Sequence, residues 1–150
     1  MNNPLVFDPT RRYDQADNFF KPRGLWVSHE PEVDSWGWKD WCLSESFRDV
    51  SHRSIVTVKS GGILLIETVS ALLDFAQEFR IILPRYAIDD RIDWPRVVAA
   101  YSGIIIAPYQ WSVRNEQMWY YPWDCASGCI WNLDAIESVV ADTKYVAPKV

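Results

Sequence analysis

A chain of 150 residues, 49% hydrophobic and 23% charged, has globular composition and the length of one domain, since either half alone would bury too small a core. Twenty acidic against fifteen basic residues leave a net charge of −5, which argues against nonspecific nucleic-acid binding, a task that needs Lys and Arg to displace counterions. No apolar run reaches the roughly 18 residues of a membrane span, and the start MNNPLVFDPTRRY lacks a basic-then-apolar leader, so the expectation is a soluble cytoplasmic protein without a membrane partner.

In chain order, Leu5 to Phe7 predicts a short apolar strand ending at the Asp8-Pro9 turn signal. A polar stretch follows in which Arg11, Arg12, Lys21 and Arg23 give the one local excess of positive charge. Gly24 to Ser28 predicts a compact strand entered through Pro22. From Trp36 to Phe47 the spacing of Trp38, Trp41, Cys42 and Phe47 predicts a helix of about three turns with Ser35 as N-cap and Trp38 and Trp41 in the core. Ser54 to Lys59 alternates in the β-branched manner of a strand, and Gly61-Gly62 then predicts a hairpin with Ile63 to Glu67.

Thr68 to Phe79 carries an apolar stripe at helical spacing, interrupted after it by Pro84. Asp93 is an N-cap candidate for a short helix, Trp94 to Tyr101, with Pro95 early enough to be tolerated. Gly103 opens the wholly apolar run GIIIA, the signature of a central buried strand. A loop rich in aromatics, Tyr109 to Trp123, leads to a strand near Ser127 to Trp131, and Asn132 to Val139 predicts a closing helical turn or two. Strands mixed with short helices, without regular βαβ alternation, predict an α+β fold: one compact domain with a mixed or split sheet and short flanking helices.

Motifs of the commoner enzymes are absent: there is no GxGxxG, P-loop, HExxH or GxSxG. His29 and His52 sit near strand ends in polar company, and the carboxylates Glu30, Glu32, Asp34, Asp89, Asp90 and Asp93 read as solvated loops and a cap. Three cysteines without an export signal predict reduced thiols, and the spacing of Cys125 and Cys129 does not suit zinc, so no metal is expected. Nine tryptophans are the unusual feature. Large aromatics favour interface hot spots, so Trp111, Trp119, Tyr120 and Trp123 are candidates for an exposed surface that blocks a protein partner or serves as a platform for a ligand.

The runs FKPRGLWVS, WKDWC, IDWPRVVAAYSGIIIAPYQWS and WYYPWDCASGCIWNLDAI together resemble a family of small bacterial and phage proteins. More distantly, the chain resembles the ADP-ribosyltransferase superfamily. The GLWVS strand with Trp26 and Ser28 is similar to that superfamily's second motif, and SGCIWNLDAI is similar in pattern to its late strand. The resemblance implies an ADP-ribosyltransferase-like fold, NAD as substrate and a protein or nucleic-acid acceptor. It implies that Trp26 or Tyr109 stacks on nicotinamide, that Ser28 and Ser127 hydrogen-bond the ribose or the amide, and that Arg11, Arg12 or Arg23 holds the pyrophosphate. Ser127 stands where the superfamily carries its catalytic Glu. A hydroxyl supplies no charge there, which leaves Asp124 or Gln110 as the groups to replace it.

Overall fold

The structure, a computed structural model, describes residues 4–15, 20–30, 36–82 and 90–149. Among these, three α-helices and two sheets make a mixed α+β fold. The expected cap Ser35 and the helix-breaking Pro84 lie outside the described residues.

Strand β1 (Leu25–Ser28) leads to helix α1 (Trp38–Ser44), and β2 (Ser54–Val58) leads to β3 (Ile63–Ile66). Helices α2 (Val69–Phe79) and α3 (Trp94–Ala100) precede β4 (Gly103–Ile106), β5 (Ser127–Ile130) and β6 (Ile136–Ala141). The larger sheet runs β1-β5-β4-β3, antiparallel except for the parallel β3/β4 pair, and β2 pairs with β6 in a separate antiparallel ribbon.

Local chemistry explains where the helices begin and end. The Asp93 carboxylate accepts from the Arg96 amide at 3.3 Å, so the cap expected there is in place, and the Thr68 hydroxyl, not singled out as a cap in the sequence, accepts from the Ala71 amide at 3.1 Å. Helix α1 is two turns rather than three. Phe47 N–H donates to the Cys42 carbonyl and Ser46 N–H to Leu43, a Schellman ending that puts Ser46 at φ 50°. Chain that has turned left-handed at Ser46 cannot carry the helix on to Phe47.

Strands β4 and β5 are buried throughout because both faces of the sheet are covered. On one side Ile104, Ile106 and Cys129 meet α2, α3 and the aromatic segment through Leu72, Phe75, Trp94 and Trp119. On the other, Ile130, Leu133 and Ile136 pack with Leu25, Val27, Val56 and Val139 between the two sheets.

Three sequence expectations are corrected. Leu5 to Phe7 forms no strand, since its backbone joins neither sheet. The Ser54 to Glu67 segment is not a hairpin. Gly61 and Gly62 do adopt the positive φ angles of a turn, at 82° and 81°, but β2 turns to β6 while β3 joins β4. Asn132 to Val139 holds one 3-10 turn, Leu133–Ala135, and then becomes β6, because its β-branched run Val139-Val140 pairs with Val56 and Ile55.

Candidate functional site

The antiparallel register of β1 and β5 sets Ser28 directly opposite Ser127 at one end of the sheet. Two-residue alternation then aims Trp26 to the same side as Ser28. The chain leading into β1 brings Lys21, the turn before β5 brings Asp124 and Cys125, and the segment after α1 brings Arg48. Together with Trp38 these residues line a cavity of about 300 Å³.

Most groups in this cavity are held by neighbours. Ser28 Oγ donates to Glu30 Oε1 at 3.1 Å and accepts from the Trp38 amide at 2.9 Å. Ser127 Oγ donates to the Cys125 carbonyl at 3.0 Å, which leaves its lone pairs as acceptors. Trp26 is edge-on to Trp123 with ring centroids 4.9 Å apart, and Lys21 Nζ lies 4.8 Å from the Trp26 centroid. Burial pulls the Lys21 ammonium below the usual lysine value, while the neighbouring Asp124 acts in the opposite direction. Cys125 is an inert thiol, pushed up to about 12 by burial.

A larger groove of about 860 Å³ continues from the cavity, sharing Trp26, Val27, Ser28, Trp38 and Arg48 with it. It runs between the two sheets over Val56 and Val58 and adds His29, His52 and Arg53. Arg53 is already paired with Asp142 at 2.5 Å, so Arg48 and Lys21 are the cations beside the Trp26 cavity.

Of the residues singled out from the sequence, Trp26, Ser28, Asp124 and Ser127 come together here. Gln110 does not line the cavity; it is buried, with Nε2 donating to the Glu67 and Pro108 carbonyls and its amide to the Tyr120 hydroxyl. Tyr109 is also buried elsewhere. Its hydroxyl donates to the Trp123 carbonyl at 2.5 Å, and burial pushes it up to about 12. Arg11, Arg12 and Arg23 lie on the exposed N-terminal stretch and line neither the cavity nor the groove. Arg11 stacks over Tyr13, and Arg12 donates to the carbonyls of Pro9 and Arg11.

The aromatic surface expected between residues 109 and 123 is corrected by burial. Trp119, Tyr120 and Trp123 are 0% exposed and belong to the core, whereas Trp111 and Tyr121 are exposed. Trp131 is core as its strand position implied, but Trp38, expected inside, is 36% exposed and faces the cavity. Sequence reading missed Trp38, Lys21 and Arg48 as site residues. The one signal for Lys21 was its place in the KPR approach to β1; Arg48 arrives only because α1 ends early.

Comparison with protein-family models, curated proteins and solved structures gave no match to this chain. Among the described residues no helix is long and apolar enough to cross a membrane, and no group of three or more His, Cys, Asp or Glu could hold a metal ion.

Proposed function

We propose that the protein binds a dinucleotide of the NAD type in the Trp26 cavity and its adjoining groove, and transfers the ADP-ribose portion to a protein or nucleic-acid acceptor. The observation that carries this reading is the convergence of an indole, two hydroxyls, a carboxylate and two cations in one cavity: Trp26, Ser28, Ser127, Asp124, Lys21 and Arg48. Few ligand classes use all of these together. A planar ring stacks on the indole, a ribose hydroxyl donates to Ser127, and phosphates meet Lys21 and Arg48 through charge-assisted bonds. On binding, Lys21 exchanges the indole face for a phosphate oxygen.

Asp124, whose Oδ1 lies 3.5 Å from the Arg114 guanidinium, supplies the carboxylate that Ser127 lacks. In the transfer the bond from ribose C1′ to the pyridinium nitrogen breaks and neutral nicotinamide leaves with the electron pair. A carboxylate beside the cationic sugar stabilises that state. The acceptor's nucleophile then bonds to C1′ and releases its proton to solvent. The cavity suits the nicotinamide riboside end, and the groove has the volume for the remainder.

The test is calorimetric titration with NAD, paired with nicotinamide release in cell extract. The expected result is saturable binding that Trp26→Ala weakens by about tenfold or more, with release abolished by Asp124→Asn. Absence of both binding and release overturns the proposal; binding without release overturns the transfer step alone.

A further inference from the structure

We infer a second ligand site, on the other side of Asp124, that takes a quaternary ammonium compound. Trp36, Trp41, Glu45, Trp111, Arg114 and Asp124 line a cavity of about 420 Å³. Apart from Asp124 it shares no lining residue with the Trp26 cavity, and the inference does not rest on the NAD reading.

Three indoles line this cavity, two from the α1 segment and one from the 3-10 turn Trp111–Val113, and each is braced by further contacts. Trp36 donates its ring N–H to the Asp124 carbonyl at 2.9 Å. Trp111, presented by the 3-10 turn Trp111–Val113, leans on Trp36 at 5.9 Å and is edge-on to Tyr109 at 4.6 Å. Trp41 is stacked on Trp38 at 5.2 Å and meets Phe47 at 4.9 Å. Walls braced in this way lose little freedom when a ligand arrives.

The charge in the cavity selects the ligand. Arg114 is engaged with Asp124 at 3.5 Å and lies 5.0 Å over the Tyr121 ring, so this cation already has an acidic partner. Glu45 is exposed and, among the described residues, is partnered only by the Ser44 hydroxyl, at 3.5 Å. A carboxylate beside three electron-rich indoles attracts a cation. A primary ammonium or sodium ion keeps its water, which indole faces replace poorly. A tetraalkylammonium is weakly hydrated, has apolar methyl groups to bury against the rings, and fits the volume.

The experiment follows the tryptophan side-chain N–H signals of the full chain by heteronuclear NMR during titration with tetramethylammonium chloride, at ionic strength held constant with sodium chloride. Saturable shifts are expected at Trp36, Trp41 and Trp111, with Trp119 unmoved. Choline should give the same pattern, and its neutral carbon isostere, 3,3-dimethylbutan-1-ol, should bind at least about tenfold more weakly. Glu45→Gln and Trp111→Ala, both at exposed positions, should each weaken tetramethylammonium binding about three- to tenfold without changing the melting temperature. Trp26→Ala should leave the affinity unchanged even if it abolishes NAD binding. No saturable shift, equal binding of the isostere, or shifts centred on Trp26 would each overturn the inference.

Discussion

Trp119, Tyr120 and Trp123 lie wholly inside the protein, while Trp26, Trp38 and Phe47, on and around β1 and α1, keep between a third and a half of their surface in water. The two groups are chemically alike, so their different fates come from the backbone that carries them. Residues 117 to 123 form successive turns in which Tyr120 and Tyr121 N–H bond to Gln117 and Trp123 N–H to Tyr120, which lets Tyr120 and Trp123 be buried with their amides paired. The Tyr120 hydroxyl and the Trp119 ring N–H are paired as well, whereas the buried Trp123 ring N–H has no partner among the described residues. Helix α1, by contrast, is two turns long and stops at Ser44, before the left-handed Ser46, too short to cover its own aromatic residues. The buried group therefore builds the platform, and the exposed group is available to ligands.

The comparison breaks first at Trp119. Trp119→Ala should lower stability by about 3–5 kcal/mol, against less than about 1 kcal/mol for Trp38→Ala, as measured by urea denaturation. Equal losses would mean that the α1 group is as much a part of the core as the loop. Next, the buried side has no slack at β5: a Cβ on Gly128 would stand 2.6 Å from the Ile104 carbonyl oxygen. Gly128→Ala should cost about 1–3 kcal/mol in the same assay. A neutral result would show that β4 and β5 can move apart.

The mildest test is alkaline pH. Cys125, raised from 9.0 to about 12, and Tyr109, raised from 10.0 to about 12, hold their protons more tightly when folded. Their contribution to stability is complete below pH 9 and is lost as pH rises toward 12. The urea midpoint should fall across that window, and less steeply in Cys125→Ala. Over the same window Trp38 and Phe47, which carry no titrating group, should give variants with the wild-type slope.

Much of the scaffold was legible because its signals are local. Asp93 caps its helix through its own side chain, and the run GIIIA reads as buried whichever strands flank it. Strand partners were not legible. Gly61-Gly62 announces a reversal, yet whether β2 pairs with β3 or with β6 depends on residues far along the chain. The site shared that fate in part. Ser28 and Ser127 were marked by their places at strand ends, but only the register of β1 on β5 makes them neighbours. Lys21 was marked only by its place in the KPR approach to β1, and Arg48 by nothing; geometry brings them in.

The position of β5 has a consequence for how the molecule is made. It is the only described partner of β1, and β6, which alone pairs with β2, follows it. Leu25 must therefore wait for Ile130, and Val56 for Val139, before either ladder can close. Pairings so distant in sequence slow folding, because the loop entropy is lost before the contacts form. During synthesis the edge of β1 that takes Ile130 therefore stays unpaired until residue 130 has left the ribosome.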